Sequence, residues 1–272
     1  MPQVTLALFQ ARPAFRTVEQ ALEDTGTAAS EAVRRGAHLL ITPELFLCGY
    51  GDTQAVQTMA QPRNSAIMED FARIAARHGI GLVLGYPERD GARLYNSAAV
   101  FSRNGERLHD YRKTTLPNDF ERGCFATGLG PGVFEFMDMR CSVVICYDIE
   151  FPELARRAAE RGADLLLVPT ALRASWRVVS DSVVPARAYE NGMFVAYCDF
   201  ARQASGASFS GASTVCAPNG AALVRNDGQA GLLIATVDTD AVASRRREFD
   251  FLAHLPSLTS RLDPFQAADS FR

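Results

Sequence analysis

Lys113 is the only lysine among 28 lysine and arginine residues, and it stands in the run Asp110-Tyr111-Arg112-Lys113. Wherever positive charge alone is needed, this chain uses arginine. Lysine carries a compact point charge that fits between carboxylates and whose pKa moves on burial, whereas a guanidinium presents a broad planar fork. The single lysine therefore points to chemistry, against the plainer alternative that a strong bias toward arginine left one lysine by chance. Cys146 is the candidate nucleophile: the apolar run 141–146 reads as a buried strand, and Pro152 soon opens a helix whose N-terminal dipole would favour a thiolate. Cys48, Cys124, Cys141, Cys198 and Cys216 lie in loops or along strands and lack that setting. An ordinary buried thiol is the competing reading for Cys146. A thiol usually takes its base from histidine, yet His38, His78, His109 and His254 are scattered away from other polar candidates. Glu44 offers another base. It ends the apolar strand pattern just after Pro43, and its neighbours Ile41 and Leu45-Phe46-Leu47 predict a partly buried carboxylate with a raised pKa rather than a solvated strand end.

These residues fall at the ends of elements that alternate as strand and helix. Residues 4–10 read as a strand, 17–35 as a helix closed by Gly36, and 39–44 as a strand that Pro43 stops. Asn64 caps a helix to His78, Gly79 ends it, and 80–86 follows as a strand. Strands 95–102 and 106–111 flank the hairpin signal Arg103-Asn104-Gly105, which sets Lys113 at the exit of the second arm. Periodicity is lost from Thr114 to Pro131, where Phe120, Cys124 and Phe125 predict an ordered, functional loop. After strand 141–146 come a helix from Pro152 to Arg161, a strand over 164–169, a long helix over 175–190, and strands over 193–198, 210–217, 222–225 and 232–237. Residues 35–44 (Arg-Gly-Ala-His-Leu-Leu-Ile-Thr-Pro-Glu) resemble 161–170 (Arg-Gly-Ala-Asp-Leu-Leu-Leu-Val-Pro-Thr). The repeat predicts two related α/β halves packed as a four-layer αββα sandwich, with chance recurrence of helix–Gly–strand units as the alternative. One domain over 1–247 and a separate tail over 248–272 are expected.

Composition narrows the function classes. A chain of 272 residues with 47% hydrophobic content buries an ample core without disulfides. The net charge of −3 is spread along the chain, leaving no basic patch for nucleic acid or an anionic membrane, and Arg245-Arg246-Arg247 reads as a solvated helix end. No apolar stretch approaches the ~18 residues of a membrane helix, and the start at Met1 shows neither charged leader nor cleavage site, so a soluble cytoplasmic protein is expected. Cys-x-x-Cys, His-Glu-x-x-His and Gly-x-Ser-x-Gly patterns are missing, which removes the usual support for zinc, metallohydrolase and serine hydrolase readings.

Three blocks carry a resemblance: Pro43-Glu44 with Gly49-Tyr50, Tyr111-Arg112-Lys113 with Leu116, and Cys146-Tyr147-Asp148-Ile149-Glu150-Phe151-Pro152-Glu153. In their order, from about Val4 to Val242, the chain resembles the nitrilase superfamily of carbon–nitrogen hydrolases, whose signature is a Glu-Lys-Cys triad. The resemblance implies the nitrilase-type αββα sandwich and assigns Glu44, Lys113 and Cys146 to the triad. It places the family's second glutamate at Glu121, holding Lys113 charged and the substrate nitrogen in place. It further implies that Glu44 takes the Cys146 proton, that Lys113 and the backbone N–H of Tyr147 stabilise the oxyanion, and that a thioester follows. No cofactor and no metal are implied. Arg187 and Glu190, in Ala186-Arg187-Ala188-Tyr189-Glu190-Asn191, match a recurring segment with a structural role.

The Cys-Tyr-Asp form resembles amidase branches, where Cys-Trp-Glu is associated with nitrilases. With Gly85-Tyr86-Pro87-Glu88 and Tyr95-Asn96-Ser97, the chain closely resembles bacterial aliphatic amidases of the 5-aminopentanamidase type. That implies hydrolysis of a short linear amide to acid and ammonia, with nitrile or N-carbamoyl-amine hydrolysis as alternatives using the same triad. Tyr50 and Thr170 are candidate substrate contacts, together with Arg173 and Arg177. Two cations there would repel an aminoalkyl tail, and could instead recruit the carboxylate of a dicarboxylic monoamide, as an ω-amidase requires; side chains pointing to solvent are the plain alternative. A non-enzymatic scaffold has no reason to hold Glu44, Lys113, Glu121 and Cys146 together. Family members assemble as dimers or larger, and Phe249-Asp250-Phe251-Leu252 and Leu255-Pro256 are expected to cover a neighbouring subunit.

Overall fold

Alternation along β1 (Gln3–Gln10) puts Val4, Leu6 and Leu8 on one face and Ala7 on the other, and the two faces enter different layers of the core. The computed structural model describes residues 3–203 and 208–262. The first half continues with α1 (Val18–Arg34), β2 (Leu39–Ile41), α2 (Thr53–Met59), α3 (Ala66–His78), β3 (Gly81–Asp90), β4 (Arg93–Phe101), β5 (Arg107–Arg112) and α4 (Asp119–Cys124). The second half holds β6 (Phe134–Phe136), β7 (Met139–Val143), a 3₁₀ helix over Cys146–Glu150, α5 (Pro152–Glu160), β8 (Leu165–Pro169), α6 (Val184–Asn191), β9 (Phe194–Cys198), β10 (Thr214–Cys216) and β11 (Ala222–Arg225). β12 (Gly231–Asp238), α7 (Thr239–Glu248) and α8 (Phe251–Leu262) follow.

The strands form two six-stranded sheets, ordered β12-β1-β2-β3-β4-β5 and β11-β10-β9-β8-β7-β6. Leu6, Leu8, Leu39 and Ile41 of the first sheet share one apolar core with Leu165, Leu167, Val195 and Ala196 of the second. The opposite face of the first sheet, through Ala7, Leu40, Leu82 and Leu84, packs on Ala21, Ala28, Phe71 and Ala75 of α1 and α3. Ala155, Ala158 and Ala188 of α5 and α6 cover the second sheet. The layers are thus αββα. The repeated decapeptide lands on equivalent strands: β2 lies parallel between β1 and β3, and β8 lies parallel between β7 and β9.

Several elements differ from the sequence reading. The run 141–146 is strand only to Val143, and Cys146 opens a 3₁₀ turn instead of ending β7. The irregular stretch 114–131 holds α4, started by Asn118, whose side chain accepts from Glu121 N. The long helix over 175–190 is a 3₁₀ turn (Ala174–Trp176), a π segment (Val179–Val183) and then α6. Pro185 explains the break, because it has no N–H to return to the Asp181 carbonyl, and the backbone widens just before it. Within the expected tail, α8 is a helix, and residues 263–272 lie outside the described residues. No helix among the described residues is long and apolar enough to cross a membrane.

Candidate active site

Glu44, Lys113 and Cys146 each follow the C-terminal end of a strand, β2, β5 and β7 respectively, which is where parallel α/β sheets open their crevices. Beyond β2 the chain turns sharply at Leu45, with φ of +49°, and crosses close over β3. A Cβ on Gly85 would stand 2.2 Å from Pro43 O and 3.1 Å from the Glu44 Cα, so the turn reaches its place only because β3 carries glycine there. Gly85 N donates to Thr42 Oγ1 (3.1 Å) and Leu47 N donates to Gly85 O (3.1 Å), which pins both sides of the glutamate.

Glu44 and Lys113 are both 0% exposed. Lys113 Nζ donates to Glu44 Oε1 (2.6 Å) and to Glu121 Oε1 (2.8 Å) and Oε2 (2.7 Å), so its three donors are all taken. Asn96 Nδ2 also donates to Glu44 Oε1 (2.7 Å), and Tyr50 OH to Glu121 Oε1 (2.7 Å). Asn118 does double duty, capping α4 through Glu121 N (3.0 Å) and donating to Tyr50 OH (2.8 Å). Glu44 Oε2 has no partner, although it is buried. The adjacent Arg112 shows what arginine does in this chain: its Nε (3.2 Å to Oε2) and Nη2 (2.5 Å to Oε1) donate to the two oxygens of Glu88, and it lies 3.8 Å over the Tyr95 ring. Burial pushes the Glu44 carboxyl up to about 7, with Lys113 pulling against it and Glu121 adding to it. Burial works to lower the Lys113 ammonium, but its acidic neighbours, the Glu44 carboxylate foremost and Glu121 with it, outweigh that effect, and the lysine pKa lies above its ordinary value.

Cys146 adopts φ of +48°, a left-handed conformation unusual for a residue with a Cβ. Asp148 holds that turn. Its carboxylate accepts from Ile145 N (3.1 Å) on one side, and from Tyr111 OH (2.8 Å), Thr115 N (2.9 Å) and Thr115 Oγ1 (2.6 Å) on the other. One buried carboxylate thus ties the cysteine turn to the segment that carries Lys113. Thr170 and the Ala171 N–H lie on the side of the thiol where they favour its ionised form, and Thr170 Oγ1 donates to Tyr197 OH (3.0 Å). Burial, then the Glu44 charge, pushes the Cys146 thiol well above its ordinary value, with Lys113 opposing. The helix whose dipole was expected to favour a thiolate begins only at Pro152, beyond the 3₁₀ turn that Cys146 opens, and burial favours the thiol. The Tyr147 N–H, in the first turn of the 3₁₀ helix, has no carbonyl partner among the described residues.

A cavity of ≈ 360 Å³ opens over the sulfur, lined by Tyr50, Tyr147, Glu150, Leu172, Arg173 and Trp176 among others. Tyr50 and Arg173 also border a neighbouring ≈ 480 Å³ cavity with Phe15 and Phe209. Thr170 sits against the thiol rather than on the cavity wall. Arg177 is not brought to the site, since its guanidinium pairs with Asp181 (3.2 Å). Asn96, Asn118, Asp148 and Glu150 were missed as site residues. Only Asn118 left a clear signal, in Asn118-Asp119-Phe120-Glu121, a helix-capping spacing. Among the described residues no group of His, Cys, Asp and Glu is arranged to hold a metal ion.

Comparisons with known proteins identify the family and its relatives. The family model described as carbon–nitrogen hydrolase matches residues 5–247. A Pseudomonas protegens protein, named a hydrolase in the pqqF 5′ region, is 36% identical over 245 residues, 89% of this chain and 85% of that protein. The 2-oxoglutaramate amidase of Bacillus subtilis is 28% identical over 222 residues, 79% of this chain and 84% of its own. A crystal structure of an amidase from Nesterenkonia sp. superposes with a TM-score of 0.82 at 34% identity, covering 92% of this chain and 95% of that one. A variant of the Nesterenkonia sp. AN1 amidase in complex with butyramide gives 0.80 at the same 34% identity, again covering 92% and 95%.

Proposed function

Since the chain belongs to the carbon–nitrogen hydrolase family and is an amidase-type hydrolase of non-peptide carbon–nitrogen bonds, we propose that it converts short linear aliphatic amides to carboxylic acid and ammonia through a thioester on Cys146. The observation that carries this reading is the unpartnered, buried Oε2 of Glu44 beside a thiol that burial keeps protonated. Glu44 takes the Sγ proton as sulfur attacks the amide carbon, and the carbonyl oxygen becomes an oxyanion. The Tyr147 N–H and the Lys113 charge face that oxygen; Lys113 can offer it a hydrogen bond by giving up one arm of its two-pronged contact with Glu121. Glu44 returns the proton to the departing nitrogen, the C–N bond breaks, and ammonia leaves a thioester. Water, giving its proton to Glu44, then attacks the thioester to release acid and restore the thiol. A preorganised donor at the oxyanion is worth ~10²–10³ in rate.

The butyramide complex of the Nesterenkonia amidase supports a short acyl group, which a cavity of ≈ 360 Å³ accommodates. One observation favours a second reading, a dicarboxylic monoamide. Arg173 lines the cavity with a guanidinium that has no ion pair among the described residues, and the relative in Bacillus subtilis is named for such a substrate. It also weighs against an aminoalkyl tail taken alone, as in the 5-aminopentanamidase likeness. Ammonia release from butyramide, butyronitrile and an N-carbamoyl amine separates the reaction types, with mass spectrometry of the acyl-enzyme locating the adduct. Turnover of butyramide with an acyl mass on Cys146 is expected. Ammonia from the nitrile alone, or an adduct on another cysteine, would overturn the proposal.

A further inference from the structure

Two charged side chains of the cavity over Cys146 take no part in the bond-breaking steps. Glu150 closes the 3₁₀ helix that Cys146 opens, and Arg173 stands on the loop after β8; both face the cavity beside Trp176. The Glu150 carboxylate has no hydrogen bond or ion pair among the described residues. Arg187, whose charge acts on Glu150, directs its guanidinium to the backbone oxygens of Ile149 (2.9 Å) and Glu150 (2.8 Å) and to the Glu190 carboxylate (3.1 Å). Burial raises the Glu150 carboxyl above its ordinary pKa, with Arg187 and Lys113 opposing. Arg173, an exposed residue, makes no ion pair among the described residues, whereas Arg177 nearby is held by Asp181. A half-buried carboxylate without a hydrogen-bond partner and an exposed guanidinium line one small cavity beside Cys146, where a ligand can engage both.

We infer that the site prefers a carboxamide whose short acyl chain ends in an α-amino acid group, with its ammonium at Glu150 and its carboxylate in the fork of Arg173. The inference rests on the reading of Cys146 as an amidase nucleophile. Spacing supports a chain of this length: four steps of 3₁₀ helix carry the chain from Cys146 to Glu150, ~8 Å along the axis, and the glutamate side chain covers part of that span. A plain aliphatic amide leaves both charges to water. An amide bearing only an ammonium meets the repulsion of Arg173, and one bearing only a carboxylate meets that of Glu150. A substrate bearing both satisfies the pair, and Arg173 suits a carboxylate because its fork can donate twice. These contacts are remote from the scissile bond, so they act on kcat/KM.

The test measures ammonia release from L-glutamine, 5-aminopentanamide, glutaramic acid and butyramide by the full chain and by Glu150→Gln and Arg173→Gln. L-glutamine is expected to exceed butyramide at least tenfold in kcat/KM, and that ratio to fall at least tenfold in either variant, chiefly through KM. Glu150→Gln should favour glutaramic acid relative to L-glutamine, and Arg173→Gln should favour 5-aminopentanamide. Ratios between substrates are independent of the fraction of a variant that folds. Butyramide turnover with L-glutamine less than tenfold above it, or a ratio that moves less than tenfold in either variant, overturns the inference and leaves the amidase reading standing. Turnover of none of the four overturns both.

Discussion

At the scale of single residues, the rarity of Lys113 was legible in composition, and so were the apolar flanks of Glu44; their neighbours were not. Asn96 lies in a strand pattern like any other, and only the fold brings its amide to Glu44 Oε1 at 2.7 Å. The contrast between Lys113 and Arg112 has a direct consequence. Arg112 reaches outward to carboxylates and an aromatic face, while Lys113 fits wholly between Glu44 and Glu121 with three donors satisfied. A guanidinium is too wide for that space. Lys113→Arg is expected to fold and to lose at least ~100-fold in kcat/KM, the worth of an oxyanion donor; a variant keeping a tenth of the activity would contradict the fit argument. Glu44 also sets a pH dependence. It must be ionised to take the thiol proton, and its carboxyl is raised to about 7, so kcat/KM for butyramide should climb with pH and level off above that value. The linked stability runs the other way: a folded pKa above the unfolded one gives a contribution that is whole in acid and is lost as pH rises through about 7. A rate profile flat from pH 5.5 to 8 would exclude Glu44 as the base.

At the scale of elements, strand and helix periodicity located most of the sheet, and it failed where the backbone leaves regular geometry. The pattern carries β7 through to Cys146 because Val144 and Ile145 are apolar and buried, yet the ladder ends at Val143 and the chain, still extended at Ile145, turns at Cys146. Apolar composition reports burial, and it cannot report a positive φ. What holds the turn is Asp148, whose partners lie up to 37 residues away in sequence, so no local pattern could show it. Removing its carboxylate unpairs Ile145 N and the Thr115 N–H together and frees the cysteine turn from the lysine segment. Asp148→Ala is therefore expected to cost ~3 kcal/mol of stability, from several lost bonds to a buried carboxylate. Thermal or denaturant unfolding reads this loss, and kcat should fall more than KM changes, because the nucleophile and the cation lose their common anchor. Unchanged stability would mean that the turn is set by the packing of Val144 and Ile149 alone.

At the scale of the whole molecule, the repeated decapeptide announced two related halves, and β2 and β8 do occupy equivalent places. Strand partnership was less legible. β12 pairs with β1, Gln3 against Asp238, across nearly the full length of the chain, and β6 extends the other sheet from a segment too short to show a period. The end of the chain carries an expectation of its own. Tyr189 of α6, Phe249 and Phe251 gather around Arg245, whose guanidinium lies 4.4 and 4.5 Å from the first two rings. Tyr189 and Phe249 remain 44% and 48% exposed, and Leu258 of α8 is 49% exposed. An apolar and aromatic patch of this kind, rimmed by arginine, is what a self-associating surface presents to solvent in a lone chain. Phe249→Ser combined with Leu258→Ser should shift the molecule toward a smaller assembly in light scattering, while leaving the interior of both sheets untouched. Tyr189, Phe249 and Leu258 lie far along the chain from the residues that hold Glu44 and Lys113, so butyramide turnover per chain should persist unless assembly itself orders the cavity wall. A double variant with the same mass in solution as the parent would show that this patch carries no self-association, and that the aromatic cluster serves only to seat α8 on α6.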